Sequence, residues 1–284
     1  MIGQTRSLLL SCYTLFAILA FTMFAGQLRA VDDAEKKEEE ARREQQLLNM
    51  KRSAAQYVLT STDDRKQRFK FHETAVMRFS NPVGASKDGT NFLWSDRGRP
   101  QAIVKIFTYD NNNFIHEWLS LSECTFVAER DGKVIWSPTE PGLAFRELPD
   151  APKPAESAAD RSRQMKTLAG KFSSTYTAKF LDAKPHELRL LTQPLLRYET
   201  NDDSRNDGAL FAFAQSTAPI GLLLIETRKT HEGQRYHYAF VSMVIGPVTA
   251  RYGEKEIFNL EKDYSRQDPK LPYLQLHNQP IPKE

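Results

Sequence analysis

Charged residues fill Val31 to about Gln46, after which Leu47, Leu48, Met50, Ala54, Tyr57 and Val58 lay down an apolar face at helical spacing. The pattern predicts a helix over 31–61, opened by Asp32 and Asp33, whose carboxylates meet unpaired N–H groups and the positive end of the dipole. Only its second half has the means to dock. From Arg68 the period becomes two, and short strands are expected at 67–72, 75–81, 90–95, 102–109, 114–121, 125–130 and 133–137. Arg130-Asp131-Gly132-Lys133 is an Asp-Gly hairpin turn between apolar flanks. A Pro-rich stretch, 146–156, reads as a linker. A second helix is then predicted over 157–183, with Met165, Leu168, Ala169, Phe172 and Tyr176 as its apolar positions. Strands follow at 187–191, 195–200, 209–215, 220–228, 235–245, 248–252 and 255–260. Ile220 to Ile225, IGLLLI, is apolar on both faces and belongs at the centre of a sheet, whereas Pro194 lacks an N–H and puts its strand at an edge. The end, 261–284, reads as an extended polar tail.

The chain repeats itself. At a constant offset of 119, Arg78 meets Arg197, Phe79 meets Tyr198, Asp88 meets Asp207, Gly89 meets Gly208, Phe92 meets Phe211 and Pro100 meets Pro219. With a two-residue insertion the register resumes at 121, pairing His116 with His237, Arg130 with Arg251 and Gly132 with Gly253. The expected fold class is therefore α+β: two tandem repeats, each a helix followed by a curved antiparallel β-meander, with sheets over 62–145 and 184–260. A helix leading into a curved sheet resembles cystatin-like folds, a likeness of form that implies no activity.

Met1 to Ala30 carries one early positive charge, an apolar run from Leu8 to Ala25 and a small residue at a possible cleavage position, the layout of a secretory signal. The alternative is an uncleaved anchor that tethers the protein to a membrane. The sequence has 39 basic and 36 acidic residues; Arg6 and Arg29 lie in the leader, so 37 against 36 remain, and this balance gives no case for a nucleic-acid partner. Beyond the leader the only cysteine is Cys124, which burial habit places as a half-buried structural thiol.

The recurring polar residues are the natural site candidates. Arg78 with Asp88, and Arg197 with Asp207, have the same spacing and suit a two-point ion pair that closes a loop; the functional alternative is anion binding by the arginine. The Asp-Gly pairs at 88–89 and 207–208 read as turn chemistry. His116 and His237 sit mid-strand among aromatics and suit a cross-strand hydrogen bond, with a general base as the alternative. The spacing of His and Cys fits no metal site, no glycine-rich phosphate loop is present, and no cofactor is expected. Phe92, Trp94, Phe107, Trp118 and Trp136 are core candidates that also suit the wall of an apolar pocket.

With DGTNFLW, HEWLSLS and RDGKVIWSPTEPGLAFRELPDAPKP in the first half, and LLTQPLLRYETNDDSRNDGALFAFAQSTAP and RYHYAFVSM in the second, the chain resembles a family of exported planctomycete proteins. The resemblance implies a bacterial host and export to the periplasm or beyond, and carries over no catalytic residue. The expectation is a non-catalytic binding or structural module for a protein or a small apolar ligand. The alternative is a hydrolase of an envelope or extracellular polymer with a strand histidine as base.

Overall fold

The structure is a computed structural model that describes residues 35–63, 66–82, 86–109, 113–178, 183–200, 207–261 and 267–282. The leader lies outside these residues. Met1–Leu48 and Asn49–Glu284 are separate compact units. In the first, residues 35–48 are helical and largely exposed, with Arg42 paired to Glu39 one turn away. No helix among the described residues is long and apolar enough to cross a membrane.

The second unit is α+β, with its strands mainly antiparallel. It opens on helical residues 49–55, here α1, and continues through β1 (Tyr57–Ser61), β2 (Lys70–Phe71), β3 (Met77–Asn81), β4 (Ser86–Asp96), β5 (Arg99–Thr108), β6 (Asn113–Ser120), β7 (Phe126–Arg130), β8 (Lys133–Trp136) and β9 (Arg146–Glu147). Then come α2 (Ala158–Ala169), β10 (Phe172–Thr177), β11 (Pro185–Glu187), β12 (Arg189–Leu190), β13 (Leu196–Glu199), β14 (Asp207–Gln215), β15 (Ala218–Thr230), β16 (Gly233–Ser242), β17 (Val248–Tyr252), β18 (Lys255–Leu260) and β19 (Tyr273–Pro280).

Two sheets of six strands form the centre. One runs β19-β6-β5-β4-β2 with β3 also on β4; the other runs β12-β14-β15-β16-β9 with β13 also on β14. Smaller sheets, β1-β7-β8 and β11-β10-β17-β18, lie beyond them. The inner faces of the large sheets meet through Leu93, Ile103, Leu119 and Tyr273 on one side and Leu210, Leu222, Leu224 and Val241 on the other. Outward, α2 lays Met165, Leu168 and Ala169, spaced i, i+3, i+4, onto Phe211, Phe213, Leu223 and Ile225. The outer face of the first sheet carries an aromatic stack in which Trp118 lies 4.7 Å from Tyr57, 5.0 Å from Trp94 and 5.6 Å from Trp136. IGLLLI takes the central place its apolarity demanded, Leu222 and Leu224 facing the other sheet and Leu223 and Ile225 facing α2.

Several expected bounds are corrected. The first helix ends at residue 55 and the second at Ala169, and each gives way to a strand, β1 and β10. Tyr57, Leu59 and Ser61 alternate with less buried neighbours, as do Phe172, Ser174 and Tyr176; a four-residue spacing satisfies both periods, and Gly170 closes the second helix. The expected linker contains β9, which pairs with β16, and the expected tail contains β19, which pairs with β6. The second large sheet thus gains a strand that precedes α2, and the first gains one from beyond the whole second run. Cys124 is exposed in the bend before β7 instead of half-buried.

The strand registers also revise the alignment. Phe79 stands opposite Gly89 and Tyr198 opposite Gly208; Ile106 faces Thr90 and Ile225 faces Ala209, so the offset of 119 holds through β5 and β15. Across the next pair, however, Ile106 faces His116 while Ile225 faces Tyr238. The offset there is 122, and it persists through matching bulges at Ala128/Glu129 and Ala250/Arg251. An odd shift moves every side chain to the opposite face, so His116 corresponds in register to Tyr238, and His237 to Ile115.

Gly89 and Gly208 are not turn residues. Both lie inside strands, and a Cβ added to either would stand 2.3 Å from the Phe79 ring or 2.2 Å from the Tyr198 ring. Glycine here clears room for a cross-strand aromatic. Gly208→Ala is expected to destabilise the fold by about 1–3 kcal/mol through overpacking, read as a lower urea midpoint at unchanged slope; an unchanged midpoint would contradict the packing described.

Candidate functional site

The recurring charged pairs are built as structural clamps. Arg78, on β3, donates from Nε to Asp88 Oδ1 at 2.9 Å and from Nη2 to Oδ2 at 2.6 Å, a two-point contact across the β3–β4 hairpin. Arg197 pairs with Asp207 in the same place on β13 and β14, and its Nη1 also donates to the Gly208 carbonyl at 2.8 Å. Asp207 takes a second cation, Arg161 of α2, at 2.6 Å, which ties the helix to the sheet. Both aspartates are buried. With their acceptors filled by neighbouring arginines, these groups serve packing.

His116 is fully buried. Its Nδ1 lies 2.9 Å from the Tyr57 hydroxyl and its Nε2 3.2 Å from Ser53 Oγ. Arg130 Nη1 donates to Tyr57 Oη at 3.2 Å, and the neutral imidazole, with one N–H and one acceptor nitrogen, donates to one of its two hydroxyl neighbours and accepts from the other. Burial, with the Arg130 charge beside it, pushes the imidazole down to about 3, so it stays neutral at ordinary pH. A hydroxyl within reach of a histidine is one thing a hydrolase needs; an open cleft is the other, and Ser53 and His116 are both sealed in the core. His237 is only partly buried, with Nδ1 3.4 Å from the carbonyl of Arg235. The structure brings none of the six candidates together around one opening.

Two constellations were not singled out from the sequence. Glu226, 0% exposed, accepts at Oε2 from Arg99 Nε at 3.1 Å and from the Tyr198 hydroxyl at 2.7 Å, and at Oε1 from Arg228 Nε at 2.7 Å. Arg228 continues to Glu123 at 3.0 Å, and both guanidinium groups lie over the Phe145 ring. The network ties β5 of one sheet to β15 of the other. Burial and the adjacent Glu226 charge hold the Tyr198 hydroxyl well above its ordinary range.

The second is a cavity of about 310 Å³ between the large sheets. Phe79, Phe107, Ile220 and Val244 supply apolar wall, and Tyr109 and Tyr176 add ring faces with hydroxyls. Into this wall is set an ion pair, Lys105 of β5 against Glu117 of β6, each side chain almost wholly buried. Glu117 Oε1 accepts from Gln275 Nε2 at 2.8 Å and from the Tyr273 hydroxyl at 3.1 Å, both on β19. Lys105 Nζ also donates to the Met243 carbonyl at 3.3 Å and lies 5.6 Å from the Phe107 ring centroid. Burial, then the Glu117 charge, raises the Tyr176 hydroxyl to about 12 and raises Tyr109 too. A signal did exist: Lys105 interrupts Ile103-Val104 and Ile106-Phe107 in a strand buried at every position. Of the five aromatics marked for a pocket wall, only Phe107 lines this one.

Among the described residues no three His, Cys, Asp or Glu side chains are placed to hold a metal ion. No family model, no curated protein and no solved structure matches the chain.

Proposed function

We propose that the protein is an exported, non-catalytic binding module made of two related units, which holds a small ligand in the cavity between its large sheets. The observation that carries this reading is the Lys105–Glu117 pair in the cavity wall. Buried ion pairs add little net stability over apolar packing, and the second sheet manages without one: Leu224 stands 119 positions after Lys105 and Ala239 stands 122 after Glu117, both inside the apolar layer between the sheets. A charge pair that folding does not require, at the edge of a pocket, has recognition as its use.

The two-unit reading is supported by the shared strand orders and by registers that repeat at 119 and then 122. Export is supported by the leader's composition and by the resemblance to exported planctomycete proteins. The hydrolase reading has less support, because the histidine with a hydroxyl in reach is sealed and the more accessible one has none.

Native mass spectrometry of the protein secreted by a bacterial host tests the proposal. A stoichiometric small-molecule adduct is expected, acquired from the medium or from an added metabolite mixture, together with an N-terminus at Val31. Ala218→Phe, which fills the cavity from β15, is expected to abolish the adduct while the protein stays folded. An adduct unchanged in this variant, or no adduct from any mixture, rejects the cavity; a retained leader means a membrane tether.

A further inference from the structure

Resting on that reading of the cavity, we infer that its ligand is a small zwitterion with an apolar side group, of the class of the aliphatic and aromatic α-amino acids. Four features of the wall point there. First, its two charges cancel, so a ligand of net charge would bury that charge without a counterion, whereas a zwitterion brings none.

Second, each member of the pair has capacity left on its hydrogen-bonding side. An ammonium has three N–H donors; Lys105 directs one at Glu117 and one at the Met243 carbonyl, which leaves one for a carboxylate. Glu117 accepts from Tyr273 and Gln275 at Oε1 and meets Lys105 at Oε2, and a carboxylate oxygen has a second lone-pair site, which leaves one on Oε2 for an ammonium. Ligand and wall would then lie as two antiparallel dipoles.

Third, Ser86 Oγ is buried in the same wall with no hydrogen-bond partner among the described residues. Native structures rarely leave such a group unanswered, and a polar group of the ligand would answer it. An uncharged amphiphile would leave the ion pair without a charged partner.

Fourth, the remaining wall is apolar and aromatic, with Phe79, Phe107, Ile220 and Val244 for the side group. The volume of about 310 Å³ lies at the small end of the range for ligand sites, which suits one amino acid better than a peptide.

Isothermal titration calorimetry on the secreted protein tests the inference with leucine and phenylalanine as probes, beside three analogues of leucine: N-acetylleucine, which keeps only the carboxylate; leucinamide, which keeps only the ammonium; and 4-methylpentan-1-ol, which keeps neither. Saturable binding of at least one amino acid is expected, with each analogue at least tenfold weaker. The double variant Lys105→Met/Glu117→Gln is expected to lose amino-acid binding at least tenfold with a preserved circular dichroism spectrum. Should it fail to fold, Ala218→Phe serves in its place and is expected to lose binding entirely. Equal or tighter binding of any one analogue overturns the zwitterion and leaves the cavity reading standing; absence of binding by all five compounds, with an adduct still seen by mass spectrometry, does the same. Absence of both overturns the two together.

Discussion

Glu226→Gln is expected to lower the unfolding free energy by about 3–5 kcal/mol, the range for breaking a buried ion pair from one side. The carboxylate is fully buried and accepts from Arg99, Arg228 and the Tyr198 hydroxyl. The substitution preserves shape but removes the charge, and the new NH₂ points a donor where donors already converge. Arg99, 11% exposed at its side chain, then has only the distant edge of Glu123, at 3.4 Å, for a counterion. Arg228 is more open and recovers part of its solvation, which places the expected loss toward the lower end. Glu123 is the internal control. Its side chain is 38% exposed, so Glu123→Gln removes a solvent-screened partner and is expected to cost under about 1 kcal/mol. Urea denaturation of the two variants beside the parent gives the comparison. Equal, small losses would mean that the network does not clamp the sheets as described.

That clamp illustrates how far the sequence could be read. The Arg78–Asp88 and Arg197–Asp207 pairs were legible because both partners lie in one hairpin, where spacing alone brings them together. The core aromatics were legible because alternation fixes which face a strand residue takes. Glu226 and Arg99 are 127 residues apart and meet only because two sheets stack, a fact that no local pattern contains. The same holds for β9 and β19: the first is two exposed residues, the second a largely polar edge, and each is defined by a partner far away in the chain. Lys105 in a buried strand was a visible oddity, but its meaning depends on Glu117 on the next strand, Gln275 on β19 and Val244 in the bend that follows β16. Helix ends were misread where Tyr57 and Tyr176 satisfied both periods, and the equivalence of His116 with His237 failed because a one-residue error in an insertion reverses the faces of a strand.

His116 is expected to make the fold acid-labile well above the range where carboxylates titrate. Its folded imidazole protonates only near pH 3, whereas an unfolded chain protonates it near 6.5. The unfolded state therefore binds one more proton throughout that window, so stability is full above about pH 6.5 and falls as pH drops toward 3. The slope approaches about 1.4 kcal/mol per pH unit, and by pH 4.5 the loss is on the order of 2–3 kcal/mol. Among the described residues nothing shown against the ring offers the imidazolium a counter-charge: Ser53 and Tyr57 hold its nitrogens, Phe114 stacks at 6.5 Å, and the Arg130 charge repels it. Partly buried His72, also pushed down by its surroundings, adds a contribution of the same sign, so the measurement must be a difference. His116→Gln keeps a polar group toward Ser53 and Tyr57 but cannot titrate. At pH 7.5 this variant is expected to be the less stable of the two, because the neutral imidazole satisfies both hydroxyls at once. Between pH 6.5 and 4.5 its thermal midpoint is expected to fall less steeply than the parent's, and the two curves to converge. Parallel curves would show that the ring takes up a proton in the folded protein as readily as in the unfolded one, and the sealed Tyr57–His116–Ser53 arrangement would then be wrong.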